Sequence, residues 1–164
     1  MATVTMNRPE SFNSLDFKMA EELVRAFEEC AADKTIRAVI FTGAGPAFCS
    51  GGDLKGARDS LSGDPGRYFG NLTLGLHRLV ADIRLMPKPV VAAVNGAADG
   101  AEFSLAMACD LRVASEKAKF KQTYTSVGLV PDGGWTYHVP WSLRWSASGR
   151  GSSPAAGPPI SPRE

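Results

Sequence analysis

The apolar positions of this chain recur with two periods, one that suits strands and one that suits helices. Within Ala2–Met6, Val4 and Met6 alternate with polar neighbours, which predicts a strand that Asn7-Arg8-Pro9 ends. Leu15, Met19, Leu23 and Phe27 then recur every fourth residue and predict an amphipathic helix from about Asp16 to Ala32. Ala38–Thr42 is a short continuous apolar run stopped by Gly43, as expected of a strand buried on both faces. A glycine-rich loop, Gly43–Asp53, follows, and between Gly56 and Gly70 the periodicity fails, so a flexible excursion is expected there. Leu72, Leu76, Leu79, Val80 and Ile83 restore a helical stripe that Pro87 and Pro89 stop. Val90–Val94 reads as a second buried strand ended by Asn95-Gly96. A helix of small residues over about Gly100 to Ala108 and a strand over Leu111–Ala114 complete the alternation. Lys117, Lys119 and Lys121 alternate as the solvated face of one more strand. Strand and helix in alternation predict parallel crossovers and an α/β fold.

The pattern does not persist to the last residue. From Trp141 the sequence turns to Trp, Ser, Gly and Pro without either period, so 1–140 is expected to form the core and 141–164 an irregular or disordered tail. Across the 164 residues, 18 Lys and Arg face 17 Asp and Glu, a net charge of +1 that argues against nucleic-acid or membrane-surface partners. No apolar stretch reaches the roughly 18 residues of a membrane span. Cys30, Cys49 and Cys109 fit neither a disulfide framework nor a zinc site, and no metal is expected. These readings together predict a cytoplasmic domain.

Two glycine turns carry the candidate chemistry. Gly43-Ala44-Gly45 is a poor dinucleotide loop, because the third glycine of that fingerprint would fall at Phe48. Gly51-Gly52-Asp53-Leu54 is more informative, since glycines admit close approach and the N–H groups opening a helix are unpaired. Such a turn can hold an anion or a developing oxyanion. It can equally be a plain turn in which Asp53 caps the helix. Asn95–Ala101 repeats the arrangement after another buried strand, and neighbouring parallel strands would bring both turns to one end of the sheet. Cys49 beside the first turn, with no histidine placed to activate it, reads as packing.

Five ordered segments carry a resemblance. They are Asn7-Arg8-Pro9-Glu10, Phe48-Cys49-Ser50-Gly51-Gly52-Asp53-Leu54, Pro89–Gly96, Cys109–Ser115 and Gly128-Leu129-Val130-Pro131-Asp132-Gly133-Gly134. In order and spacing they resemble the enoyl-CoA hydratase/isomerase (crotonase) family over about residues 2–140. The resemblance implies a spiral of ββα units, assembly as a homotrimer or hexamer, and an acyl-CoA thioester as substrate, with coenzyme A entering as part of it and no separate cofactor. It also implies that the backbone N–H groups of Gly52 and Ala101 form an oxyanion hole for the thioester oxygen, and that Ser50, Asp53 and Leu54 join them in binding substrate. The family's C-terminal helical region is expected to be missing, with 141–158 a frameshifted stretch.

Departures from the family pattern select among its reactions. The glutamates that position water in the family's hydratases would fall at Ser104 and on the stretch Gln122-Thr123-Tyr124, and neither is acidic. Glu102 lies about 160° around the helix from Ser104 and reads as a solvated or capping residue. Asp132 remains, at a position where the family's isomerases carry a general acid and base, and one carboxylate suffices for a 1,3-proton shift. Asp132 can also be a helix cap. Trp135 replaces a small residue and is expected to reshape the acyl pocket. The implied activity is therefore an acyl-CoA isomerase resembling the phenylacetate-pathway and 3,2-enoyl-CoA isomerases, with Asp132 as acid and base. The alternatives are a hydratase-type lyase and a non-catalytic family member that binds CoA esters or a partner subunit.

Overall fold

In the computed structural model of the chain, which describes residues 1–59 and 64–140, strand β1 (Ala2–Met6) turns Val4 and Met6 inward as their alternation requires. Helix α1 (Phe17–Ala32) starts where Asp16 accepts a hydrogen bond from the Met19 amide at 2.7 Å. It buries Met19, Leu23 and Phe27, the stripe read from the sequence. Strands β2 (Val39–Gly43), β4 (Val90–Val94) and β6 (Leu111–Ala114) join β1 in a parallel sheet of order β1-β2-β4-β6. In β2 and β4 one face is sealed, by Val39, Phe41, Val90, Ala92 and Val94, while the other is half-buried rather than closed as expected. Phe41 anchors the core, edge-on to Phe27 at 5.4 Å and to Phe48 at 5.3 Å.

A second parallel sheet, not anticipated, runs β3 (Ala47–Cys49), β5 (Ala97–Asp99) and β7 (Lys119–Lys121). The first two lie inside stretches expected to be loop and turn, because three residues are too few to show a period. Gly43 and Gly96 allow the chain to step from one sheet to the other. A Cβ at Gly96 would collide with the Pro46 carbonyl, and one at Gly43 with the Phe48 carbonyl. The buried Asn13 amide bridges the step, donating to the carbonyls of Ala44 at 2.8 Å and Ala47 at 2.9 Å.

The expected excursion over 56–70 is corrected as well. Helix α2 (Leu54–Asp59) and the first turns of α3 (Pro65–Leu85) occupy its described part. Asp64 caps α3 by accepting from the Arg67 amide at 3.1 Å, with Pro65 at the first helical position. The stripe is hidden there because the helix opens on exposed and half-buried turns, where Tyr68 meets Phe17 at 4.8 Å. Further along, Leu72, Leu76, Leu79 and Ile83 are buried. Helix α4 (Ala101–Ala108) packs against α3. The units β2-β3-α2-α3 and β4-β5-α4, followed by β6-β7, make the repeating ββα spiral. The expected tail, 141–164, lies outside the described residues. Among those described, no helix is long and apolar enough to cross a membrane.

Candidate functional site

Both glycine turns open onto one cavity of about 260 Å³ between the second sheet, α3 and the loop before residue 135. Each turn is built so that one N–H is left over among the described residues. Gly51, at φ 108°, gives its carbonyl to the Leu15 amide at 2.9 Å, and the Asp53 amide donates to the Leu15 carbonyl at 2.8 Å. The Gly52 N–H lies between these two bonds and has no acceptor among the described residues. A side chain at 52 would press on Phe69, whose ring edge lies 3.1 Å from an ideal Cβ, and on Leu72 at 3.4 Å. Gly100, at φ 59°, donates to the Lys121 carbonyl at 3.0 Å and hands the chain to α4 with no side-chain cap. The Ala101 N–H is the first of that helix and likewise has no described acceptor. Two unpaired backbone donors in a largely apolar cavity suit a developing oxyanion.

The sequence-predicted residues divide. Ser50, Gly52, Leu54, Ala101 and Asp132 all line the cavity. Asp53 does not. Its carboxylate accepts from the Gly56 amide at 2.9 Å, capping α2, and from Arg8 at 3.1 Å. Burial works against that charge, but the Gly56 amide and Arg8 outweigh it and hold the carboxyl below its ordinary range. The structure thus shows Asp53 in the capping role that its place in the turn also allowed. Trp135 is not part of the lining, against the expectation that it reshapes the pocket, and its indole N–H is buried without a described partner. Lys121, expected on a solvated face, contributes to the cavity wall. Cys49 is fully buried and its thiol donates to the Asn13 carbonyl, as a packing residue would.

Asp132 is the one carboxylate lining the cavity among the described residues. Both its oxygens are held: Oδ1 accepts from the Tyr124 hydroxyl at 2.7 Å and Oδ2 from the Thr73 hydroxyl at 3.3 Å. Ser104, fully buried, donates to the Asp132 backbone carbonyl at 3.1 Å and lies 3.5 Å from the Tyr124 hydroxyl. Burial pushes the Tyr124 phenol well above its ordinary range, and the charge of Asp132 adds to the rise, so it stays a neutral donor. The sequence pointed to Ser104 and Tyr124 only as places without a carboxylate. That they hold Asp132 was missed, and Thr73 was missed entirely. No local pattern marks a contact spanning 59 residues.

A family model described as enoyl-CoA hydratase/isomerase matches residues 1–145. The chain belongs to the enoyl-CoA hydratase/isomerase family. It is 38% identical over 142 residues to 1,2-epoxyphenylacetyl-CoA isomerase of Escherichia coli K12, a match covering 84% of this chain and 53% of that protein. To the short-chain-enoyl-CoA hydratase of Clostridium acetobutylicum it is 37% identical over 140 residues, covering 85% of this chain and 52% of the relative. The crystal structure of enoyl-CoA hydratase from Bacillus anthracis superposes with a TM-score of 0.78 at 34% identity, over 84% of this chain and 52% of that one. The fold is therefore the crotonase fold of the family, and the chain spans about half the length of the curated relatives it matches.

Proposed function

We propose that this family member is an acyl-CoA isomerase that shifts a double bond through a thioester enolate. The observation that carries the reading is the cavity itself, which joins the N–H groups of Gly52 and Ala101, unpaired among the described residues, to a single described carboxylate, Asp132. In this reaction the two amides hold the thioester oxygen as negative charge develops on it. Asp132 takes a proton from the α-carbon and returns it to the γ-carbon. A hydratase needs acid and base placed on water, and the positions that carry glutamates in the family's hydratases are here Ser104 and Tyr124, which donate to Asp132 and supply no carboxylate. A cytoplasmic location and assembly as a homotrimer or hexamer are part of the same proposal, supported by family membership.

The test mixes the 164-residue chain with a 3-enoyl-CoA and follows the rise of conjugated-enoyl absorbance, with Asp132→Asn in parallel. Turnover in the parent and its loss by about 10²-fold or more in the variant is expected. Loss of absorbance from a 2-enoyl-CoA, without the isomerisation, would assign a hydratase instead.

A further inference from the structure

Tyr124 sits in the 3-10 turn Tyr124–Val127 with 4% of its surface exposed, and its hydroxyl makes the shortest described contact to the Asp132 carboxylate. The opposite oxygen is held by Thr73 from α3, at the longer distance of 3.3 Å. A planar carboxylate with one donor on each oxygen, from two different elements, cannot rotate about its Cβ–Cγ bond without breaking both hydrogen bonds. The two donors are unequal. The phenol grips Oδ1 closely, so Oδ2 is the oxygen with basicity to spare.

We propose that Tyr124 is the positioning residue for Asp132, fixing the carboxylate through Oδ1 so that Oδ2 takes and returns the proton. The inference rests on the isomerase reading above. In the first half-step the α C–H bond breaks, its proton goes to Oδ2, and its electron pair enters the enolate held at Gly52 and Ala101. In the second the Oδ2–H bond breaks and a C–H bond forms at the γ-carbon. Tyr124 keeps its own proton throughout, donating to a carboxylate before the step and to a carboxylic acid during it. Burial of the phenol serves that constancy, because a group held neutral stays a donor through the neutral and mildly alkaline range.

Tyr124→Phe removes the hydroxyl and keeps the ring. It is expected to lower kcat by about 10- to 100-fold, the worth of one hydrogen bond to a charged group. KM should stay within about twofold of the parent, since the ring still fills its place. A variant with parental kcat, beside an inactive Asp132→Asn, overturns the positioning role and leaves the isomerase reading standing. An equal loss in a variant whose KM rises in proportion overturns it as well, in favour of a packing role.

A second readout needs no substrate. The phenolic absorbance of the chain's three tyrosines is titrated with pH, and Tyr124→Phe identifies the late component. In Asp132→Asn that component is expected to ionise at lower pH, because the neighbouring charge is gone. An unmoved midpoint overturns the contact. A parent that shows this coupling but isomerises no thioester removes the isomerase reading, and the positioning role falls with it.

Discussion

The Ser104 hydroxyl donates to the backbone carbonyl of Asp132 at 3.1 Å, tying helix α4 to the loop that carries the candidate acid and base. The contact requires the loop to come very close. Gly133, at φ 57°, would place a Cβ only 2.9 Å from the Ser104 Cβ. Position 104 must be small for the loop to dock, and position 133 must be glycine both for space and for its left-handed backbone.

Gly133→Ala should therefore destabilise the chain by about 1–3 kcal/mol, from overpacking and from a left-handed alanine together. Thermal or denaturant unfolding measures it. Stability equal to the parent's would show that the loop does not dock on Ser104 as described.

Strand β1, α1 and the buried stripe of α3 were legible in the sequence because each repeats its period, and β2 and β4 because each is a continuous apolar run. Phe27, Leu72, Leu76 and Leu79 are buried where the periodicity put them. The second sheet was not legible, since β3 and β5 are three residues each, β5 bordered by Gly96 and Gly100 and β3 set within the stretch Gly43–Asp53, both of which also read as turns. At the site, Gly52, Ala101 and Asp132 came from motif resemblance, and the structure brings them to one cavity. The donors to Asp132 were invisible for a different reason. Hydrogen bonds from Thr73, Ser104 and Tyr124 depend on how α3, α4 and the 124–127 turn pack, and packing leaves no local pattern.

Asp53 separates a cap from a ligand. Asp53→Ala should cost about 1–2 kcal/mol, through loss of the bond to the Gly56 amide and of the partner of Arg8. KM for a thioester should change by less than about threefold. A large rise in KM at unchanged stability would assign Asp53 to the binding site as the resemblance implied. Because its carboxyl is held below the ordinary range, its stabilising contribution is present above the unfolded-state value and is lost as pH falls toward the folded one.

His138 gives the chain a second acid sensitivity. It is 5% exposed, its Nδ1 has no described partner, and burial followed by the nearby Arg84 and Arg112 charges depresses its protonation. Below about pH 6.5 the unfolded chain binds a proton here that the folded chain resists, so stability falls as pH drops through that region. His138→Gln should flatten that part of the stability profile, measured as melting temperature between pH 7 and pH 5. An identical slope in parent and variant would assign the sensitivity elsewhere.

The Ala101 N–H can be deleted without deleting its helix. Ala101 is the first residue of α4, where proline is tolerated because its fixed φ already suits the helix and no intrahelical bond is lost. The residue before it is Gly100, which lacks the Cβ that would crowd a following proline ring. Ala101→Pro therefore removes one of the two candidate oxyanion donors while the fold keeps its remaining contacts. On the isomerase reading proposed above, kcat should fall by about 10²- to 10³-fold, the usual loss for one such donor. Melting temperature should move by only a few degrees. A variant that turns over at the parental rate would show that Gly52 alone, or a different donor, holds the thioester oxygen. A variant that unfolds would show that α4 depends on Ala101 for more than its amide, and substitution of the Ala101–Glu102 ester for the peptide bond would not help there, so the decisive comparison is then the Gly100–Ala101 ester, which replaces the N–H by oxygen and leaves the side chain intact.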